Sequence, residues 1–214
     1  MIIEIWSDIV CPFCYIGKRR LEMALSQFSH GDEVKIEYRS FVLQPDALID
    51  YDVKFPEFLA EKKGIPLEQV ISMNQQLTNQ AKEVGLTYHL DQVVPTNTFN
   101  AHRLIQLAKH NGKENEMVER LFRAYFTEIK HVGDVDILSE LAAEVGLDLQ
   151  EVQSMFNSNK YQTEVRAQEQ DAQQIGVTGV PFYVINRKYA VSGAQHPQTF
   201  LNAIEKVWQE ENQK

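Results

Sequence analysis

The feature that most constrains the fold is the order of hydrophobic patterns, because strand-like segments stand only near the two ends of the chain. Residues 2–6, IIEIW, are β-branched and aromatic and predict a buried strand. Between about residues 14 and 28 the apolar residues recur at helical spacing. Residues 34–43, VKIEYRSFVL, then alternate between apolar and polar. This order predicts a β-α-β unit with parallel strands.

The middle of the chain carries no strand signal. From residue 46 to residue 157, apolar side chains recur at steps of three and four residues, which predicts roughly four to six helices. Glycines stand where three of these helices would end, at Gly85, Gly112 and Gly146. We therefore predict that this block is an all-helical insertion.

The chain returns to β structure near its end. A polar helix over about 159–175 precedes two short strand-like segments that flank Asn186 and Arg187, which predicts a hairpin, and an amphipathic helix follows. We therefore predict an α/β domain built from residues 1–45 and 158–214, with 46–157 inserted as a helical domain.

Charge and apolar runs exclude some functions. The formal net charge is −9, which argues against a general nucleic-acid binder because such proteins neutralise phosphates with basic residues. No apolar run approaches the roughly 20 residues that span a bilayer. The first residues lack the basic flank and cleavage site of a signal peptide. If Met1 is the native start, we expect a cytoplasmic protein, where cysteines are more often catalytic or metal-binding than structural.

The two cysteines of the chain, Cys11 and Cys14, form a Cys-x-x-Cys motif after the first predicted strand and at a helix start. Free backbone N–H groups and the helix dipole at that point stabilise a thiolate at Cys11. Cys14 lies one turn on and can attack a mixed disulfide formed by Cys11. We therefore expect Cys11 to be the nucleophile and Cys14 the resolving thiol. Pro12 suits a first helical turn, and Phe13 adds apolar bulk without charge.

Two other interpretations of the cysteines stay open at this point. They can be small core residues, or part of a metal site, although zinc usually takes four ligands and no second cysteine pair exists. A second feature favours redox chemistry: Pro181 stands at the start of a strand, where a central ladder does not accept proline. Such a proline is either an ordinary loop residue or a cis proline in a tight turn.

Taken together, these motifs resemble the DsbA family of the thioredoxin superfamily. The segments CPFCYIGKRRLE, PTNTFNAHRL and GVTGVPFYVINRKYAVSGAQ are most similar to its FrnE-type branch of dithiol-disulfide oxidoreductases or isomerases. The resemblance covers essentially the whole chain. It implies an α/β thioredoxin-like fold with a large all-helical insertion.

The resemblance also implies a site and its partners. Pro181 would be cis and face the cysteines, and Val180 would offer its backbone to an extended substrate. No metal or organic cofactor is required, and glutathione can act as a co-substrate. The partners would be protein or small-molecule thiols and disulfides and a thiol redox partner, without nucleic acid or membrane. A homo-oligomer stays open.

The chain departs from the family pattern at two positions. Phe13 stands where FrnE-type proteins most often have Trp and where DsbA has His. DsbA also carries a buried Glu on its first strand; Glu4 is one position off that register, so its role is not carried over.

The segment PTNTFNAHRL in the helical block contributes three further candidate site residues. Asn97 matches an asparagine that lines the site in kappa-class glutathione transferases and chromene-carboxylate isomerases, and Phe99 and His102 match less closely. The alternative is that Asn97 or Thr96 caps a helix. His102 is either a proton shuttle or a hydrogen-bonded histidine between helices.

Three functions compete. The leading one is a thiol-disulfide oxidoreductase or isomerase that uses the Cys11–Cys14 dithiol. The second is a glutathione-dependent isomerase or transferase, in which Ser typically replaces the first cysteine and no resolving thiol is needed. The third is a binding or chaperone protein whose cysteines sense redox state.

Overall fold

A computed structural model describes residues 1–212 of the chain. These residues form two compact units, one made of residues 1–43 and 166–212 and the other of residues 44–165. We call them the sheet unit and the helical unit. The sequence-based division placed these boundaries at 45/46 and 157/158. No helix in the described part of the chain is long and apolar enough to cross a membrane.

The sheet unit begins with a β-α-β arrangement. Strand β1 (Ile2–Ser7) leads into helix α1 (Pro12–Leu25), and a 3-10 turn (Gly31–Glu33) precedes strand β2 (Lys35–Ser40). Strands β1 and β2 are parallel, with Ile5 opposite Tyr38. This is the arrangement that the hydrophobic pattern predicts, although β2 is shorter than the alternating segment.

The second half of the sheet unit adds an antiparallel hairpin. Strand β3 (Phe182–Ile185) pairs with β1 and with strand β4 (Tyr189–Ser192), so the strand order is β2-β1-β3-β4. Both hairpin residues, Asn186 and Arg187, have positive φ, the conformation that a tight two-residue turn requires. Helix α9 (Pro197–Asn212) follows. The fold is thus thioredoxin-like and mixed α/β.

The helical unit consists of helices only, as the sequence predicts. Its elements are α2 (Phe55–Lys63), α3 (Leu67–Glu83), α4 (Phe99–His110), α5 (Glu114–Phe126), α6 (Val135–Glu144) and α7 (Leu149–Phe156). Asp134 and Asp148 cap α6 and α7 by accepting hydrogen bonds from the first backbone N–H groups of each helix. Helix α8 (Gln162–Gln174) leads back into the sheet unit.

The two faces of the sheet have different neighbours. Trp6 packs with Ala172 of α8 and with Val184, so its side of β1 faces α8. Because side chains alternate along a strand, Ile5 and Ser7 point to the opposite face. Tyr183, which is opposite Ile5, contacts Phe200 of α9 there, with ring centroids 4.7 Å apart. We call these the α8 face and the α1 face.

Candidate active site

Cys11 lies at the junction of a buried strand and a helix. It is the N-cap residue of α1, with an extended backbone, and Pro12 occupies the first helical turn. The N–H of Cys11 donates to the carbonyl oxygen of Asp8, 3.1 Å away, which closes the turn between β1 and α1. The N–H of Cys14 in turn donates to the carbonyl oxygen of Cys11 at 3.0 Å, so the backbone of Cys11 is fixed on both sides at the start of the helix.

The turn before β3 meets Cys11. The thiol of Cys11 donates to the carbonyl oxygen of Val180, with an S···O distance of 3.5 Å. The peptide bond between Val180 and Pro181 is cis, as the resemblance implies. This contact joins two motifs that lie about 170 residues apart in sequence. The Pro181 ring also lies against α1, because a Cβ at Gly17 would come within 3.1 Å of its Cγ.

Both cysteines are reduced and buried, Cys11 at 5% exposed and Cys14 at 3%. Burial alone therefore does not separate their roles. Phe13, between them, is 44% exposed. It is an exposed apolar side chain between the two cysteines in sequence, and its role in shaping the site stays a prediction.

The electrostatics of Cys14 are distinctive. Burial raises the pKa of the Cys14 thiol well above its ordinary value, and the hydrogen bond and charge of Cys11 act in the same direction. The Ser7 hydroxyl and the backbone N–H of Asp8 oppose this rise. Cys14 is therefore a protonated thiol at neutral pH, and its ionisation depends on the few donors that face it.

Sequence reasoning missed the residues beneath the dithiol. Tyr183 is buried on the α1 face, and a Cβ added to Gly17 would collide with its hydroxyl oxygen. Gly17 comes one helical turn after Cys14, so this glycine inside a predicted helix was the available signal. Burial raises the pKa of Tyr183 well above its ordinary value, and the charges of Cys14, Tyr38 and Cys11 contribute.

Glu4 lies on the α8 face, so it is turned away from α1. Its buried carboxylate accepts hydrogen bonds from Arg39 Nε at 2.8 Å and from Arg187 Nη2 at 2.6 Å. Arg187 also contacts Asp171 of α8. Because Glu4 is one position away from the strand position of the buried Glu in DsbA, its side chain lies on the face of the sheet opposite to the cysteines.

The remaining candidates belong to the helical unit. The Asn97 amide donates to the carbonyl oxygens of Pro45 and Ala47, both at 3.1 Å, and its Oδ1 accepts from the N–H of Phe99 at 2.9 Å. Asn97 thus fastens a loop to the start of α4, while His102 is buried on that helix. A role of Asn97, Phe99 and His102 in lining the site stays a prediction. Among residues 1–212 no cluster of three or more His, Cys, Asp or Glu side chains is arranged to hold a metal ion.

Comparison with known proteins gives a family and close structural likeness. The model of the DSBA-like thioredoxin domain matches residues 2–205. The uncharacterised protein YwbO of Bacillus subtilis (strain 168) is 30% identical over 204 residues, which cover 94% of each chain. The crystal structure of a probable DsbA oxidoreductase from Streptomyces coelicolor is 40% identical, with a TM-score of 0.94, and the match covers 98% of this chain and 91% of that one.

Two more distant structures share the fold alone. A 2-hydroxychromene-2-carboxylate isomerase is 16% identical with a TM-score of 0.74, over 99% of this chain and 98% of that one. The cytosolic disulfide reductase DsbM from Pseudomonas aeruginosa, solved with GSH, is 17% identical with a TM-score of 0.63, over 98% and 100%. The family match and the Streptomyces structure support a disulfide oxidoreductase. With its dithiol at the start of α1 and its match over residues 2–205, this chain belongs to the DSBA-like thioredoxin domain family.

Proposed function

We propose that this protein is a dithiol-disulfide oxidoreductase or isomerase of the FrnE-like branch, in which Cys11 attacks and Cys14 resolves. The observation that carries the proposal is the placement of Cys11. Cys11 is the N-cap residue of α1 and its thiol contacts the Val180 carbonyl beside Pro181, while Cys14 is buried one turn further along the helix.

The reaction proceeds through a mixed disulfide. The Cys11 thiolate attacks one sulfur of a substrate disulfide, the substrate S–S bond breaks, and the second substrate sulfur leaves as a thiolate. Cys14 then attacks Cys11, which forms the Cys11–Cys14 disulfide and releases the first substrate sulfur. The substrate is reduced by two electrons and the protein is oxidised by two. A thiol redox partner, for which glutathione is suitable, restores the dithiol.

The raised pKa of Cys14 fits this order of events. Because Cys14 stays protonated at neutral pH, it does not compete with Cys11 for the first attack. It becomes reactive once Cys11 is bonded to substrate and no longer adds negative charge beside it. If a second cysteine of the substrate attacks first, the same intermediate leads to isomerisation.

The substrate site is formed by the cis-proline turn and Phe13. A Cys11 thiolate has no proton to donate, so ionisation frees the Val180 carbonyl to accept an N–H from an extended substrate. Exposed Phe13 supplies an apolar contact. We propose a cysteine-containing peptide or glutathione as substrate. The presence of GSH in the DsbM structure supports the glutathione proposal.

A reducing compartment suits this chemistry. In the cytoplasm the glutathione pool keeps a dithiol reduced, which favours reduction and isomerisation over net oxidation. We propose a cytoplasmic location on this ground, together with the sequence expectation.

Equilibration in glutathione redox buffers tests the function. We expect wild-type protein to lose both thiols in one reversible two-electron transition near or above the glutathione poise of about −220 to −320 mV. Cys14→Ser should instead accumulate glutathione on Cys11, and Cys11→Ser should accumulate none, both measured by intact mass. Thiols that never pair under oxidising buffers would overturn the dithiol mechanism.

The same variants separate the alternatives. A glutathione-dependent isomerase or transferase would keep its activity in Cys14→Ser, since it needs no resolving thiol. A redox-sensing chaperone would suppress aggregation of an unfolded client equally well in wild type and in Cys11→Ser.

A further inference from the structure

Two buried hydroxyl oxygens beneath the dithiol, Ser7 Oγ and Tyr183 Oη, form no hydrogen bond of ordinary geometry with any group in the described chain. We call them the hydroxyl pair. Buried polar side chains nearly always have a partner, because an unsatisfied donor loses its bonds to water without replacement. A fold that keeps two such groups near one another calls for a chemical reason.

Strand register places both members on the same side of the sheet. Tyr183 on β3 is directly opposite Ile5 on β1, and Ser7 lies two residues after Ile5 on β1. Ser7 and Tyr183 are therefore diagonal neighbours on the α1 face. The rest of that face near them is apolar, with Ile3, Ile5 and Phe200 buried.

Helix α1 brings Cys14 to the same place. The Tyr183 hydroxyl lies so close to Gly17 that a Cβ there would collide with it. Gly17 is three residues after Cys14, so the two share a side of the helix. Ser7 faces the Cys14 sulfur directly enough to stabilise its charged form, as does the N–H of Asp8.

We propose that the hydroxyl groups of Ser7 and Tyr183 donate hydrogen bonds to the Cys14 sulfur as it becomes a thiolate, and so promote resolution of the mixed disulfide. Both are positioning residues that act through Cys14. The inference rests on the proposed function and deepens it. In this proposal the neutral hydroxyls of Ser7 and Tyr183 stabilise the buried negative charge of the Cys14 thiolate.

The chemical states of the groups fit this role. The pKa of Tyr183 is raised by burial, so its hydroxyl keeps its proton and remains a donor across the physiological range. Burial raises the pKa of Cys14 as well, so its ionisation is the unfavourable part of the resolving step. A donor that strengthens its bond only when charge appears lowers that barrier selectively.

The resolving step balances without a further reactant. Cys14 gives up its proton to solvent, its sulfur forms a bond to the Cys11 sulfur, and the Cys11–substrate S–S bond breaks. The electron pair of that bond leaves with the substrate sulfur, which takes up a proton from solvent unless its anion is stable. Ser7 and Tyr183 remain neutral hydroxyls throughout and transfer no proton.

Other titratable groups near the pair are the same in every variant tested. Cys11 and Arg20 face it from α1, Tyr38 faces it from β2, and Asp8 lies in the connecting loop with its carboxylate accepting the N–H of Leu43. A change in pH dependence that appears only on loss of a hydroxyl is therefore assigned to that hydroxyl.

The test is the two-step reaction of fully reduced protein with dithionitrobenzoate. Attack by Cys11 releases the first thionitrobenzoate at a rate proportional to reagent concentration. Attack by Cys14 releases the second at a rate independent of it. We expect Ser7→Ala and Tyr183→Phe each to slow the second release by about tenfold, the value of a hydrogen bond to a charged group. The pH midpoint of that step should move upward, while the first release stays within twofold of wild type.

Matched variants remove hydroxyls that already have partners. The hydroxyl of Ser26, the C-cap residue of α1, donates to the Met23 carbonyl, and the Tyr189 hydroxyl on β4 donates to Glu210. Ser26→Ala and Tyr189→Phe should leave both releases unchanged. Tyr183→Phe removes a single oxygen, so it decides the question even if Ser7→Ala does not fold.

Two failures are distinguishable. A normal second release in wild type, with rates and pH profiles within twofold in Ser7→Ala and Tyr183→Phe, would overturn the hydroxyl-pair inference alone. If wild type releases only one thionitrobenzoate per molecule, the dithiol mechanism itself is wrong and the inference fails with it.

Discussion

Glu4 and Tyr183 are both buried polar residues of the same sheet, but on opposite faces and with opposite surroundings. On the α8 face, Glu4 is held by two arginines, Arg39 and Arg187, and Arg187 is shared with Asp171. On the α1 face, the hydroxyl pair of Ser7 and Tyr183 has no hydrogen bond of ordinary geometry with the described residues. The Glu4 carboxylate on the α8 face is thus satisfied by hydrogen bonds, whereas the hydroxyl pair on the α1 face keeps its donors available.

The difference indicates what each face does. A buried carboxylate with several charge-assisted hydrogen bonds holds strands and a hairpin in place, and loses stability when a partner is removed. Unsatisfied hydroxyls weaken the fold slightly, so their retention under the cysteines favours a role in chemistry. The α8 face should therefore respond to mutation in stability, and the α1 face in reactivity.

Glu4→Gln should give the largest loss of stability. It leaves two guanidinium groups facing a neutral amide, which for a fully buried pair costs about 3–5 kcal/mol. Because Arg187 is about half exposed, we expect a smaller loss, about 2–3 kcal/mol, measured by urea unfolding at pH 7. Both thionitrobenzoate releases should stay within twofold of wild type.

Glu22→Gln is the matched control for this change. Glu22 of α1 is about half exposed and pairs with Lys18 and Arg19, and pairs with such an exposed carboxylate contribute at most about 1 kcal/mol. Equal losses in Glu4→Gln and Glu22→Gln would contradict a structural role for the α8 face.

Alkaline pH should destabilise the reduced protein through Cys14. The folded pKa of this thiol is raised, so its contribution to stability is present below the unfolded pKa of about 8.5 and is lost as pH rises above it. At pH 9.5 the loss is on the order of 1 kcal/mol for one such group. Urea unfolding at pH 7 and pH 9.5 in a phosphine reductant should show this loss in wild type.

Cys14→Ala checks the assignment to that thiol. The variant keeps Cys11 and all tyrosines, so its alkaline loss should be smaller than that of wild type. The same pH dependence in both proteins would mean that another group titrates, and Tyr183, whose pKa is also raised, is the next to test.

Tyr183→Phe should change stability in the opposite direction to Glu4→Gln. Removing a buried hydroxyl that lacks a partner relieves its desolvation, which corresponds to a gain of about 1 kcal/mol. The same variant should show the slower second thionitrobenzoate release, so that its stability rises while its reactivity falls. Thermal unfolding of Tyr183→Phe and Tyr189→Phe compares the two, and a loss of stability in Tyr183→Phe would show that its hydroxyl is satisfied in solution.

Local patterns were sufficient to predict most of the framework. The β-α-β start, the hairpin at Asn186 and Arg187, the helical block and the position of Cys11 at a helix start all follow from periodicity and turn chemistry within a few residues. Element ends were less accurate: the predicted helix at 159–175 is α8, Gln162–Gln174. Caps and frayed turns decide such ends.

The residues beneath the dithiol could not be predicted in the same way. Tyr183 stands about 170 residues after Cys14 and meets α1 only because β3 pairs with β1. In the sequence Tyr183 looks like any other tyrosine in a strand. No local signal shows whether its hydroxyl finds a hydrogen-bond partner in the folded protein. Glu4 shows the converse: one step in register, visible in the sequence, was enough to exclude it from the cysteines.

The smallest expected effect is the acid response of the α8 face. Arg187 lowers the pKa of Asp171 in the folded protein, so this carboxylate stabilises the fold above its unfolded pKa of about 3.9 and ceases to do so as pH falls through the folded value. Since Arg187 is half exposed, we expect a contribution below about 1 kcal/mol. Asp171→Asn should therefore be slightly less stable than wild type at pH 7 and equal to it near pH 2, measured by urea unfolding. Asp32→Asn, on the exposed 3-10 turn, is the control, and the same convergence in that variant would assign the acid response to general charge and not to the Asp171–Arg187 pair.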